Sequence, residues 1–367
     1  MESTGPSTHF SPALLKRARE ACGLTAKGLG ERVGRSSATI SAYEKFEGGT
    51  KPPPDVVLAL SQATGRPFSS FFRSPRESST VGEQHWRARQ KASIRYRHQV
   101  MALASDVTEV VDFLDWLGAL PVLDLGVDAT EVRDPLRLAA LVRRAWNLGL
   151  GPLPDIVALL ERRGIVVVDL VFEGDDTPPA DGFTMWTKGG RPVIFTIRSR
   201  HAKTKSRARR RLTLLHELKH VLTDRDAPSG DKSLEDDANA FASALLLPLE
   251  TWGREFPRSV SLPYLRELKK RWKASMKAMV YRASAQGLIS SSTATRAYIE
   301  MAKLWGSNEP GEDEIPQESP KLLPAALKDD FLATVVESEL SPPAAGFSRL
   351  RRDGAYGPPV VEDFMDG

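Results

Sequence analysis

The sequence predicts a multidomain protein: an all-α domain, then an α+β domain, then a helical C-terminal extension. Three observations carry that expectation. Residues 10–72 hold five short helical segments separated by turn residues. Residues 164–197 hold three β-rich runs with Gly-containing turns between them, expected to form a small antiparallel sheet. Beyond Pro248 apolar residues return at helical spacing, as in Trp272, Met276, Met279 and Val280. A chain of 367 residues is long enough for two or three domains with a sizeable core.

The first helix is expected over Ala13–Cys22, with Leu14, Leu15 and Ala18 inward. Thr25 caps a second that runs to Val33, and Gly34 makes the turn. Ser36 opens a third over Ser37–Lys45, with Ile40 and Tyr43 inward. Pro52-Pro53-Pro54 begins a fourth over Asp55–Thr64, and Pro67 a fifth that ends near Phe72. A helix, a turn with Gly and a second short helix form the helix-turn-helix pattern, whose second helix enters the major groove of DNA.

Leu24-Thr25, Leu29, Val33-Gly34, Ser36, Thr39-Ile40-Ser41 and Tyr43-Glu44 resemble the lambda-repressor-like (Xre) DNA-binding family. The resemblance implies a helix-turn-helix domain over residues 1–75. Ala26 stands where the family usually has Gln, and Ser37, Ala38 and Ala42 where longer polar readers are common. Side chains this short cannot make the bidentate contacts that discriminate bases. Lys27, Arg35, Ser37, Thr39 and Lys45 are the candidate DNA-binding residues, the basic ones, with Lys51, through phosphates. A protein-docking or self-association role stays open beside DNA binding.

His216-Glu217-Leu218-Lys219-His220 is the sharpest chemical signal. Positions i and i+4 lie one above the other on a helix, so both imidazoles can reach one zinc ion. Glu217 sits about 100° round the same helix, where a carboxylate can hold water and take its proton. Leu212, Leu215, Leu218 and Leu222 make a helical stripe, and no Pro or Gly interrupts residues 207–224. The bland alternative is a charged helix on which one His is exposed and the other packs.

Fifteen residues after His220 a second helical pattern begins, with Leu234, Ala238, Phe241 and Leu245 inward and Pro248 as its stop. Glu235 lies beside that face and is placed to be a third ligand. Asn239, one turn on, can hydrogen-bond the distal nitrogen of a liganding His. Glu235, Asp236 and Asp237 also suit the first turn of a helix, where its dipole favours acids.

HELKH, a short loop and then Glu-x-x-Ala-Asn-x-Phe-Ala-x-x-Leu-Leu-x-Pro resemble the ImmA/IrrE family of bacterial zinc metallopeptidases. The matching positions are Glu235, Ala238, Asn239, Phe241, Ala242, Leu245, Leu246 or Leu247, and Pro248, within a resemblance over roughly 136–248. It implies a zincin-like α+β metallopeptidase domain over 130–255, with zinc on His216, His220 and Glu235 and Glu217 as catalytic base. Lys219 stands where the family usually has Gly; it favours the helix but crowds a neighbouring segment. The resemblance also implies a stress- or mobile-element-linked regulator that cleaves a helix-turn-helix repressor protein. The alternative is a DNA-binding regulator or antitoxin that retains the zinc without turnover.

The remaining segments are less specific. Residues 76–129 read as a helical linker; residues 74–81, across its start, are Ser/Pro/Arg-rich, and Val107–Leu120 is apolar, for core or dimer contact. Trp86–Gln99 interleaves basic and aromatic residues, as a nucleic-acid grip or a solvated face. Arg198–Arg211 holds eight Lys/Arg residues, a clamp for DNA or acidic substrate or a solvated loop; His201 within it is a candidate oxyanion donor. Helices are expected over Leu136–Leu148, Leu153–Arg163 and, in an extension over 256–306, Leu262–Leu288 and Ile289–Leu304. Residues 307–367 read as an acidic linker and a mostly disordered tail, with one helix over Leu322–Leu340.

Charge is divided unevenly. From Ser307 onward there are 13 acidic and 5 basic residues, net −8, so the preceding residues carry +12 of a whole-chain charge of +4. A basic body suits a polyanionic partner, which the acidic tail would screen. Cys22 is the single cysteine, which excludes an intramolecular disulfide and an all-cysteine metal site and favours a reducing compartment. The sequence has no signal-peptide pattern after Met1 and no apolar run long enough for a bilayer, so a cytoplasmic protein without membrane contact is expected.

Overall fold

A computed structural model of the chain describes residues 9–45, 50–73, 93–129, 131–173, 181–199, 206–225, 231–306 and 308–359. Helices α1 (Pro12–Ala21), α2 (Ala26–Val33), α3 (Ser37–Tyr43) and α4 (Pro54–Thr64), with a 3-10 turn over Phe68–Phe72, form the N-terminal domain. Ser11, Thr25 and Ser36 each cap the following helix through their side-chain oxygen. Gly34 takes the left-handed conformation (φ 65°) that the turn between α2 and α3 requires. At Gly30 a Cβ would stand 2.4 Å from the Arg35 carbonyl oxygen, so only glycine lets the two helices close together. Leu15, Ala18, Leu29, Ile40, Val57, Leu60 and Phe71 fill a small core of their own.

Helix α5 (Ile94–Trp116) follows as one long helix, which takes in residues 107–116 of the apolar stretch expected over Val107–Leu120 and ends before the rest. Residues 86–92 of the basic and aromatic stretch lie outside the described residues. Next come α6 (Pro135–Ala145), α7 (Ile156–Glu161), β1 (Val166–Phe172), β2 (Gly182–Trp186) and β3 (Pro192–Ser199). Helices α8 (Arg207–Thr223), α9 (Lys232–Leu246), α10 (Trp252–Glu255), α11 (Leu262–Trp272), α12 (Met276–Ala285) and α13 (Ser291–Trp305) complete the central part. The single helix expected over Leu262–Leu288 is two, because Lys273 adopts a left-handed conformation (φ 53°) and Ser275 caps α12.

The sheet corrects an expectation in its pairing. An antiparallel sheet was expected; the observed order is β2-β3-β1-β4, with β1 parallel to β3 and only β2–β3 antiparallel. Strand β1 is central and covered on both faces, which is why it reads as an apolar run broken only by Asp169. Val167 and Ile194 face the core shared with α6–α9 and α11–α13. Val166, Val168, Leu170, Phe195 and Ile197 face a second core with α5 and the C-terminal helices.

The disordered tail expected over 307–367 is another correction, since most of its described residues are folded. Helices α14 (Leu322–Ala326), α15 (Asp330–Leu340) and α16 (Ala344–Asp353) lead to β4 (Ala355–Tyr356), which pairs parallel to β1 at Asp169 and Leu170. The composition misleads because its acidic residues have work to do. Glu312 and Glu318 pair with buried groups on other elements, and Ile315, Leu323, Leu327, Phe347 and Leu350 are fully buried or nearly so. Among the described residues no helix is long and apolar enough to cross a membrane.

The N-terminal domain is fastened to α5 through charge. Glu109, 3 % exposed, bridges Arg17 and Arg73 at 2.6 Å each. Arg66 pairs with Asp106 at 2.5 Å, and the Tyr356 hydroxyl donates to the same carboxylate at 3.4 Å. Burial pushes the Glu109 carboxyl up, but the two guanidiniums outweigh it and hold it below the usual carboxylate range. Stability from such a lowered group is present above the unfolded-state value and is lost as pH falls through the folded-state value. Glu109→Gln is expected to lower stability by about 3 kcal/mol at neutral pH, since it leaves two part-buried arginines uncompensated. That difference should shrink once pH falls below about 4. Thermal unfolding across this range checks it; a deficit that does not change with pH would be inconsistent with the assigned role.

Candidate metal centre

Helix α8 carries the two histidines because its sequence lets it be buried on most sides. Leu214, Leu215, Leu218 and Val221 enter the core under α7 and α9, while Glu217 turns towards β2. Helix α9 crosses beside it, started by Asp231, whose side chain accepts from the Ser233 amide. Glu235 falls in the first turn of α9 and Asn239 one turn later, both on the side facing α8.

The arrangement brings together His216, His220 and Glu235, with one ligand atom from each within 4.8 Å of the others. His216 Nε2 lies 3.2 Å from His220 Nε2 and 3.3 Å from a Glu235 oxygen, and His220 Nε2 lies 3.8 Å from the other oxygen. A tetrahedral ion with bonds of about 2.0–2.1 Å needs ligand atoms about 3.3–3.4 Å apart, and these separations bracket that spacing.

The far side of each ring explains why both Nε2 atoms point inward. His216 Nδ1 is 3.1 Å from Asn239 Oδ1, and His220 Nδ1 is 2.8 Å from an Asp224 oxygen. If each Nδ1–H donates to its oxygen, two lone pairs and a carboxylate face one point, an arrangement that calls for a cation. Burial pulls the His216 imidazole down, but its bond to Glu235 and the charges of Glu217 and Glu235 raise it overall. The site attracts positive charge.

Glu217 does not join the cluster of ligands. It is 5 % exposed, and its Oε2 accepts a hydrogen bond from the Thr184 hydroxyl of β2 at 2.9 Å. Thr184 was not predicted, and no local pattern could have revealed it, because 33 positions separate it from Glu217. Asp224 was also missed, though it lies four residues after His220 at the end of the same helix, a readable signal. Lys219 does not crowd its neighbours. Its Nζ reaches both Asp224 oxygens at 2.8 and 2.9 Å, and the pair is almost wholly buried. Burial pushes Asp224 up, but bonds from His220, Lys219 and Thr223 outweigh it and lower its carboxyl.

The described members of the basic stretch that leads into α8 are paired rather than a free clamp, though Arg209 is exposed. Arg198 and Arg210 both pair with buried Asp169, at 2.5 and 2.8 Å. Arg209 pairs with Asp181 at 2.6 Å, and Arg211, 2 % exposed, pairs with Glu318 and donates to the carbonyls of Leu153 and Pro154. His201 lies outside the described residues.

In the N-terminal domain Lys27, Arg35, Ser37 and Lys45 are exposed. Lys27 and Arg35 sit 3.8 and 3.9 Å from Glu31 and Asp55, contacts loose enough to yield to phosphates. The Thr39 hydroxyl is 2.8 Å from the Ser36 hydroxyl, so it takes part in the helix cap.

Fold and site together define a protein that joins a nucleic-acid-binding type of helical domain to a peptidase-type α/β domain. Residues 13–67 match the family model described as a helix-turn-helix domain, and residues 161–284 match that of the IrrE N-terminal-like domain, in peptidase family M78. The chain is a fusion of these two domains, and the second match takes in α11 and α12 beyond residue 255. No curated protein matches the chain.

Asp224→Asn is expected to weaken affinity for Zn2+ by about 10–100-fold, as loss of a partner to a liganding imidazole generally does. Competition against a chromophoric chelator measures this; unchanged affinity in a folded variant would remove Asp224 from the site.

Proposed function

We propose that the protein is a zinc-dependent endopeptidase and transcriptional regulator. The observation that carries this reading is the convergence of His216, His220 and Glu235 beside a carboxylate that is not needed as a ligand. The two Nε2 atoms and the Glu235 carboxylate would hold the metal. When bound, zinc supplies a Lewis acid that acidifies water and polarises a carbonyl.

The chain's own residues do the rest. Glu217, oriented by Thr184, takes a proton from the attacking water and returns it to the leaving amine nitrogen. Asn239 and Asp224 fix the rings so that each Nε2 keeps its lone pair for the metal. Strand β2 bonds to β3 along one side only among the described strands and carries Thr184, so its outer edge is suited to pair with an extended substrate backbone. A folded protein is a poor fit for such an edge; an exposed or unfolded segment of a repressor is a good one. The helix-turn-helix domain would bring the peptidase to DNA or to a repressor bound there, in a response to stress or to a mobile element.

His216→Ala should lose about one zinc per chain, whereas Glu217→Gln should retain metal and fold yet cut substrate slower by orders of magnitude. Elemental analysis and a proteome comparison between cells carrying wild-type and Glu217→Gln protein provide the readouts. Zinc retained without His216, or an identical proteome in the two strains, would overturn the reading; the second outcome favours a DNA-binding regulator or antitoxin without turnover.

For the N-terminal domain, few base readers and several phosphate contacts predict DNA affinity that varies little with sequence and falls steeply with salt. The log–log slope is expected to be about −0.9 per phosphate neutralised. Replacing Lys27, Arg35 and Lys45 together should flatten that slope. Tight binding to one operator that ignores all three substitutions would contradict the assignment.

A further inference from the structure

A cavity of about 410 Å3 opens at the opposite end of α9 from Glu235, where α6, α9 and α12 meet. Ala244 and Pro248 line it. Ala244 lies about 13 Å along the helix from Glu235 at a rise of about 1.5 Å per residue, so the cavity is separate from the metal cluster.

Its wall is cationic. Arg143 and Arg144 of α6 and Arg282 of α12 all line it, and Arg143 and Arg282 are each only 4 % exposed. Arg143 donates from Nε to the Leu245 carbonyl at 2.8 Å and from Nη1 to those of Gly149 and Gly151 at 2.6 and 3.1 Å. Its Nη2 is buried with no hydrogen-bond partner. Arg282 donates from Nε to the Leu247 carbonyl at 3.4 Å, and among the described residues it makes no other hydrogen bond and no ion pair. Neither do Arg143 and Arg144 make an ion pair there. Glu250 is the one carboxylate in the wall, and it is exposed. Burial draws the Arg143 guanidinium down to about 10, only partly opposed by Glu250, and lowers Arg282 for the same reason.

Buried cations in proteins are ordinarily paired, because an unpaired one forfeits its hydration without return. Among the other buried cations of the described residues, Arg66, Arg191, Arg211, Lys219 and Lys269 each have a carboxylate, while Arg349 rests on the carbonyls of Ala345 and Pro358. Here the carboxylate is lacking and a cavity stands in its place. Leu136, Leu150 and Leu249, all partly exposed, add an apolar side to the opening. A cavity of this volume falls in the range, about 300–1,000 Å3, that holds small ligands.

We propose that this cavity binds a small organic anion, its phosphate or carboxylate head against Arg282 and Arg144 and its apolar body against Leu150 and Leu249. Arg143 adds positive potential from behind. The proposal does not depend on peptidase activity.

Calorimetric titration of the full chain with phenyl phosphate, phenylacetate and uncharged benzyl alcohol tests it. At least one anion is expected to bind saturably with Kd of about 1 mM or tighter, and benzyl alcohol is not; the stronger anion identifies the head group. Arg282→Met and Arg144→Glu should each weaken binding about tenfold or more, as loss of a charged hydrogen-bond donor does. Glu250→Gln should tighten it about twofold, by removing an exposed like charge. Arg144 is exposed, so its variant decides the matter if Arg282→Met fails to fold. Absence of saturable binding by either anion, or binding that Arg144→Glu leaves unchanged, would overturn the proposal.

Discussion

The rest of the structure depends on one constraint: helix α8 is buried on nearly every side yet charged along its length. Arg211, Glu217, Lys219 and His220 are all 5 % exposed or less. Each buried charge must be matched on the spot, since an unmatched one costs several kcal/mol. The partners come from far apart in sequence. Glu318 and the Leu153 and Pro154 carbonyls take Arg211, Thr184 takes Glu217, and Asp224 takes both Lys219 and His220. One helix thereby gathers the sheet, the loop before α7 and the C-terminal segment around it. The rigidity this confers is what holds two imidazoles and a carboxylate at ligand spacing.

Local patterns made the site unusually legible. His216, His220 and Asn239 lie where helical periodicity puts them, and the short caps Ser11, Thr25 and Ser36 mark the helices of the first domain. What the sequence hid was long-range. Thr184 meets Glu217 only because β2 folds against α8, and no spacing encodes that. The parallel pairing of β1 with β3 depends on β2 taking the outside position, which a run of three β-rich segments leaves undetermined. The tail misled for a different reason. An acidic, Pro-rich composition describes a segment that cannot bury apolar surface alone, and says nothing of one whose acids neutralise cations elsewhere in the same chain.

The two domains are joined differently from the way each is built. The first keeps its own apolar core, apart from the two that flank the sheet, and meets α5 largely through Arg17, Arg66 and Arg73. Helix α1 lies on α5, whereas α2 and α3 keep Lys27, Arg35, Ser37 and Lys45 in solvent. The exposed basic side of the first domain and the side that docks on α5 are thus different faces.

The position of Glu318 and β4 has a consequence for how the protein is made. Helix α8 emerges from the ribosome about a hundred residues before the acid that neutralises Arg211, and further still before the strand that covers the outer side of β1, at a synthesis rate of about 5–20 residues per second. Until those residues arrive, Arg211 has the Leu153 and Pro154 carbonyls but no carboxylate. A chain halted in between holds His216, His220 and Glu235 in sequence without all of the scaffold that aligns them. Alignment of the His216, His220 and Glu235 cluster therefore waits on residues made about a hundred positions after the helix that carries the two histidines.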